Sequence, residues 1–298
     1  MGTLPKIIVI VGTNASGKSN LGIQLAKHYN GEIISADSRQ VFKGLDLGSG
    51  KVTVEEMQGI PHHLINICKA GDFFSMADFQ RMAYAAMDDI LARNKLPFLV
   101  GGTGLYVESV VEGYLLSDKM PNLTYRAELE KLDTETLYAM LQEELPDTSV
   151  DPRNRNRVMR LLERLRDDDY HAPEREKRYT SLRLGVSWDR AVLQERIEER
   201  LERRMNEGML LEVQGLLDAG VSPEFLLGLG LEYRFITRYL LGDIKSQEEM
   251  LNLLNIAIRQ FAKRQMTWFR RDKSIHWLNM TEMPFEEATK AIDTFLQK

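Results

Sequence analysis

Gly12, Thr13, Asn14, Ala15, Ser16, Gly17, Lys18 and Ser19 have the types and spacing of a phosphate-binding loop. The two glycines let the backbone curl so that its N–H groups converge, and a helix starting near Lys18 adds its positive dipole end. Such a cradle grips a di- or triphosphate. Lys18 meets the outer phosphate charge, and the Ser19 hydroxyl suits a magnesium ion that bridges phosphate oxygens. The context fits: Ile7-Ile8-Val9-Ile10-Val11 precedes the loop and Leu21-Gly22-Ile23-Gln24-Leu25-Ala26 follows it. The loop specifies polyphosphate but not what becomes of it.

A strand and a helix must hold that loop, and the chain is long enough to build them. Its 298 residues, 43% hydrophobic and 28% charged, suffice for one large core or two domains. No apolar run reaches the roughly 18 residues that cross a bilayer, and the first strand begins close to Met1, so no membrane anchor and no signal peptide are expected. Cys68 is the single cysteine. It excludes an internal disulfide and a multi-cysteine zinc site, points to the cytoplasm, and is expected to pack as a small apolar residue.

Strands over about 6–11, 32–36, 97–100 and 182–186 alternate with helical stretches, which predicts a parallel sheet with right-handed crossovers. The fold class is therefore α/β, P-loop NTPase-like, with helices flanking the sheet. Ile275-His276-Trp277-Leu278 suits a last edge strand. Helices are expected over 18–29, 76–93, 189–206, 209–219, 233–241 and 247–271, the second capped by Ser75 with Asp78 in its first turn. From Ser117 to Pro173 the sequence turns charged and helix-rich, interrupted by Pro121, Pro146 and Pro152. This predicts a helical subdomain at 117–173 inserted into a catalytic core of 1–116 and 174–298. Ligands bind beyond the carboxyl ends of parallel strands, so Gly12, Asp37 and Thr103 are expected to share one crevice.

The net charge is −5, yet the basic residues cluster, and local patches suffice to bind a phosphate backbone. One cluster is Arg153, Arg155, Arg157, Arg160, Arg164 and Arg166; another is Arg259, Lys263, Arg264, Arg270, Arg271 and Lys273. A third, Arg196, Arg200, Arg203 and Arg204, is interleaved with Glu195, Glu198, Glu199 and Glu202, and is expected to pair along an exposed helix. Asp37, at the end of the second strand, has two readings: holding magnesium through water, or acting as a general base. Gln40, three residues on, offers the donor and acceptor pair that suits an adenine edge. The third strand ends in Gly101-Gly102-Thr103, where many kinases and nucleotide hydrolases carry a magnesium-binding Asp.

These residues resemble the bacterial tRNA dimethylallyltransferases, also called tRNA isopentenyltransferases. The matching segments are residues 12–19, Asp37-Ser38-Arg39-Gln40-Val41-Phe42-Lys43-Gly44, Pro61-His62-His63-Leu64, Gly101-Gly102-Thr103-Gly104-Leu105-Tyr106 and residues 259–270, in the family's order over nearly the whole chain. The resemblance implies transfer of the dimethylallyl group of dimethylallyl diphosphate to N6 of adenosine 37 in tRNA. It implies magnesium, a loop gripping diphosphate as leaving group, Asp37 as general base and Thr103 near the reacting centre. It also implies tRNA contacts from Asp37, Ser38, Arg39, Gln40 and Thr103; from Arg126; from Asn156, Arg157, Val158, Met159 and Arg160; from Leu229, Gly230, Leu231, Glu232, Tyr233 and Arg234; and from Ile258, Arg259, Gln260, Phe261, Ala262, Lys263, Arg264 and Gln265. The helical insertion would grip the anticodon stem-loop, and the protein would act as a monomer without a membrane.

Two departures stand out. Arg166-Asp167-Asp168-Asp169-Tyr170 replaces the family's usual Thr-Gly turn, and Glu232 stands where a Gly before the Tyr is usual. His62 and His63 suit a structural role at least as well as a ligand role, and Trp268 and Trp277 suit packing. Two other functions fit parts of the chain. A small-molecule P-loop kinase leaves Gly101-Gly102-Thr103 and the arginine-rich insertion unexplained. An adenylate isopentenyltransferase of the cytokinin-forming type shares the reaction centre but needs neither basic segment.

Overall fold

The computed structural model describes residues 3–117, 119–120, 122–170 and 174–298. Pro121 and Pro173, which mark the expected insertion, lie outside the described residues. Six parallel strands form the sheet of the main unit, Met1–Gly113 with Lys177–Lys298. They are β1 (Lys6–Val11), β2 (Gly31–Ser35), β3 (His62–His63), β4 (Leu96–Gly101), β5 (Thr180–Ser187) and β6 (His276–Asn279), in the spatial order β3-β2-β4-β1-β5-β6. β1 runs beside β4 up to Val11↔Gly101 and beside β5 up to Val11↔Gly185. Buried on both faces, it is a continuous Ile/Val run rather than an alternating one.

The helices are α1 (Lys18–His28), α2 (Met76–Ala92), α3 (Gly104–Val111), α4 (Leu123–Leu129), α5 (Thr134–Glu144), α6 (Arg155–Arg166), α7 (Arg190–Asn206), α8 (Met209–Asp218), α9 (Pro223–Leu229), α10 (Leu231–Leu240), α11 (Gln247–Phe269) and α12 (Pro284–Gln297). Phe79, Met87 and Ile90 of α2 pack on Ile7, Val9 and Ile34 at one face of the sheet. Leu21 and Leu25 of α1, with Ile292 of α12, pack on Ile8, Ile10 and Phe98 at the other. Helices α7 to α11 enclose a further cluster around Tyr233, Ile236 and Met250. Ser75 closes the expected cap on α2 as a reciprocal box with Asp78. Four elements escaped the sequence pattern: β3 and α3 are too short to show a period, α9 is a seven-residue segment behind Pro223, and α12 follows the last edge strand. Among the described residues no helix is long and apolar enough to cross a membrane.

His63 and His62 serve structure. His62 Nδ1 meets the Ile60 carbonyl at 2.8 Å, and His63 Nε2 meets Glu32 at 2.8 Å. Glu32 is buried and also takes Arg93 and, at 2.7 Å, Lys95. The Arg93 guanidinium, aided by Lys95 and His63, holds this carboxyl well below its usual range despite burial. A depressed carboxyl contributes stability that is whole above the ordinary value of 4.5 and is lost as pH falls towards the folded value. Glu32→Gln is expected to lower the melting temperature by several degrees near neutral pH and to flatten the loss of stability under acid. An acid-melting curve of unchanged slope would refute this.

Tyr114–Glu176 is a second compact unit, a few residues wider at each end than the sequence suggests. Leu129 of α4, Leu137 and Leu141 of α5 and Val158, Met159 and Leu162 of α6 form its small core. Asn122, Asp133 and Asn154 each cap the helix that follows.

Candidate active site

Beyond β1 the chain turns at Gly12, where a Cβ would stand 2.5 Å from Val186 Cγ2. Gly17 takes φ 85°, the left-handed conformation needed to enter α1. Outside the curve, the Ala15 carbonyl accepts from Arg196 Nε at 3.1 Å and the Ser16 carbonyl from Trp188 Nε1 at 2.8 Å. A trans peptide points its N–H opposite its carbonyl, so the N–H groups of Ser16 and Gly17 face inward. Ser16 Oγ is buried beside Gly12 without a partner, a donor that a phosphate oxygen would satisfy. The Lys18 ammonium donates to the Thr13 carbonyl at 3.1 Å.

The ends of β2 and β4 are tied to each other and to this loop. Thr103 N donates to the Ala36 carbonyl at 3.2 Å, and Ser38 N donates to Thr103 Oγ1 at 3.1 Å. A Cβ on Gly101 would lie 2.1 Å from the Ala36 oxygen, so only glycine permits the approach. Gln265 of α11 bridges the two sides: its Oε1 accepts from Asn14 N at 3.0 Å and its Nε2 donates to the Gly102 carbonyl at 2.9 Å. Asp37 is steadied by its own turn, where Oδ1 accepts from Arg39 N at 2.9 Å. Gly12, Asp37 and Thr103 thus stand together at the carboxyl end of the sheet, as the strand order requires.

Helix α7 corrects one expectation. Arg203 does face solvent beside Glu207, but Arg196 stacks over Trp188 with 4.4 Å to the ring centre. Arg200 and Arg204 turn inward and line a cavity with Asn14, Ala15, Arg39 and Glu232. Gly50 makes room, since a Cβ there would fall 2.0 Å from Arg200 and 1.5 Å from Arg204. The four-residue spacing of 196, 200 and 204 marks one helix face, but the interleaved glutamates share that period, so spacing alone did not reveal which face is buried. Burial, reinforced by Arg204, lowers the Arg200 guanidinium to about 9. Burial, with Arg200 next, lowers the Lys18 ammonium to about 8 against the opposing pull of Asp37. Crowded positive charge of this kind is relieved by an anion.

Several residues expected at the RNA surface are buried or turned to protein partners instead. Gln40 spends its amide on the protein, accepting from Ser35 Oγ at 2.9 Å and donating to the Gly50 carbonyl at 3.3 Å. Tyr233 is fully buried and donates to Glu212 Oε1 at 2.9 Å. Val158, Met159, Glu232, Ile258, Ala262 and Gln265 are buried as well. A packed helix presents only one stripe to solvent, so a contiguous motif divides between core and surface. Leu229, Gly230 and Leu231 are half-buried. The outward members are Gln260, Lys263 and Arg264 of α11, the last over the Phe261 ring, and Arg234, whose Nε donates to the Leu227 carbonyl. Arg259 pairs with Glu198. In the second unit Asn156 and Arg157 are exposed, while Arg126 and Arg160 both engage buried Glu163, at 2.6 and 3.1 Å. Trp268 and Trp277 pack against the core.

The family model described as IPP transferase matches residues 40–272, and one described as isopentenyl transferase matches residues 5–69. The chain is 44% identical to a tRNA dimethylallyltransferase 2 of Shewanella sediminis, over 96% of this chain and 97% of that protein. It is similar to the crystal structure of the tRNA isopentenylpyrophosphate transferase of Bacillus halodurans, with TM-score 0.74, 36% identity, and 98% and 95% of the two chains covered. A eukaryotic dimethylallyltransferase, crystallised acting on tRNA, matches with TM-score 0.81 and 25% identity over 98% of this chain and 80% of that one.

Proposed function

The chain belongs to the IPP transferase family, and from that premise we propose that it transfers a dimethylallyl group from dimethylallyl diphosphate to N6 of adenosine 37 in tRNA, releasing diphosphate. The observation that carries the reading is the meeting of a phosphate cradle and a carboxylate at the ends of β1, β2 and β4, tied through Thr103. As N6 attacks the allylic carbon, the carbon–oxygen bond to diphosphate breaks and its electron pair leaves with the oxygen. Asp37 takes the proton that N6 loses. The inward N–H groups of the loop, Lys18 and Arg200 meet the charge growing on the leaving group. No phosphoryl group moves, which agrees with a β4 end that carries Gly-Gly-Thr and no aspartate.

Among the described residues no cluster of His, Cys, Asp and Glu is suited to hold a metal by itself. The Ser19 hydroxyl would hold a magnesium ion jointly with the bound substrate, and the ion would supply positive charge to neutralise the leaving group. The adenine must leave its stack to enter the crevice, at a cost of roughly a few kcal/mol. Phosphate contacts from Lys263 and Arg264, and from Asn156 and Arg157 of the second unit, offset that cost. The single cysteine and a tRNA substrate support a cytoplasmic setting.

The test is incubation with magnesium, labelled dimethylallyl diphosphate and unmodified tRNA. Label is expected on the tRNA at adenosine 37. Label on AMP with bare tRNA would establish the cytokinin-type reaction instead, and consumption of ATP phosphate would establish a kinase.

A further inference from the structure

Glu232 is 5% exposed, sits in the first turn of α10, and has no part in the chemistry above. Its Oε2 accepts from Arg39 Nη1 at 2.9 Å, and its Oε1 lies 3.6 Å from Arg204 Nη1. Arg39 also borders Asp37. Its backbone N–H donates to Oδ1, and its guanidinium Nε makes a long ion pair with the same oxygen at 3.6 Å. The side chain of Arg39 therefore lies between two carboxylates and makes its shorter contact, through Nη1, to Glu232. Gly230 opens the path, since a Cβ there would stand 2.8 Å from Arg39 Cδ. A guanidinium without its anion seeks a bidentate carboxylate, and Asp37 is the one in reach. An aspartate so claimed has its lone pairs occupied and is a poor base.

We infer that Glu232 is a positioning residue: it draws Arg39 Nη1 to itself so that the Arg39–Asp37 ion pair stays long and single, which leaves the carboxylate able to take the proton of the attacking amine, while Arg204 pairs with Glu232 on its other oxygen. The inference rests on Asp37 being the base in the function proposed above. Charge supports it. Lys18, Arg39, Arg200 and Arg204 crowd around Asp37 and Glu232, so loss of Glu232 leaves Asp37 as the carboxylate to which Arg39 turns.

The experiment is steady-state transfer of labelled dimethylallyl group to tRNA by Glu232→Gln, which conserves volume. We expect kcat to fall roughly 10- to 100-fold with KM for dimethylallyl diphosphate unchanged or lower, because the cradle keeps its cations. In Glu232→Gly, added formate is expected to restore kcat in a saturable manner by pairing with Arg39 and Arg204, whereas neutral formamide has no effect. Should Glu232→Gln fail to fold, the charge-matched Glu232→Gln/Arg204→Met carries the same expectation, since Arg39 is still released. Wild-type kcat in the folded variant, a rise in KM that accounts for the loss, or no response to formate overturns the inference. Absence of transfer by the unaltered protein would instead overturn the proposed function itself.

Discussion

Asp37→Asn lowers kcat for transfer to tRNA by roughly 10²- to 10⁴-fold, the size of a lost general base, while tRNA is still retained on filters. The asparagine is chosen because its amide oxygen can go on accepting from Arg39 N, a bond of 2.9 Å that shapes the turn after β2. The fold and the Ser38–Thr103 tie then persist, and the loss reports the proton transfer. Asp37→Ala is expected to lose as much. KM for dimethylallyl diphosphate stays near wild type, since the phosphate cradle is untouched. A carboxylate that held magnesium through water would behave differently: excess magnesium would restore the rate of the asparagine variant. That restoration, or transfer at the wild-type rate, refutes Asp37 as base.

Lys18→Met is expected to cost roughly 10²- to 10³-fold in kcat/KM for dimethylallyl diphosphate, the scale on which a donor to developing negative charge is felt. The ammonium sits at the mouth of α1, held by the Thr13 carbonyl, where the dipole of the helix adds to its charge. Burial first, then Arg200, lowers it to about 8, so pH gives a second readout. Below that value the lysine is charged and the free protein binds diphosphate fully. Above it, binding must recruit a proton, and affinity falls by up to about tenfold for each further pH unit. Titration calorimetry with diphosphate is expected to show this decline in wild type and not in Lys18→Met. The same alkaline decline in both would assign it to another group, and Arg200, at about 9, would be the next to test.

The phosphate loop, the parallel sheet and the placement of Gly12, Asp37 and Thr103 were legible in the residues because each depends on local facts. A glycine at a left-handed φ, an apolar run buried on both faces and a short turn at a strand's carboxyl end are dictated within a few neighbours. The family motifs extended this to the whole chain, and the model match over 40–272 agrees. The short elements β3, α3 and α9 were not legible, since a period cannot show itself in two, eight or seven residues.

What only the tertiary structure decided is which face of each helix lies inside. Along α7 the arginines and glutamates repeat at one period, and packing against residue 50 and the loop turned Arg200 and Arg204 towards the site while Arg203 stayed in solvent. Along α11 Gln265 became a strut between the loop and β4 while Lys263 and Arg264 remained outside. Gln40 turned its amide to Ser35 and Gly50, and Glu232 met Arg39 across nearly two hundred residues of chain. Sequence by itself determined the chemistry available, because residue type and local backbone demand are written there. The partners of each charge were settled by long-range packing, because burial and distance in space are properties of no single segment.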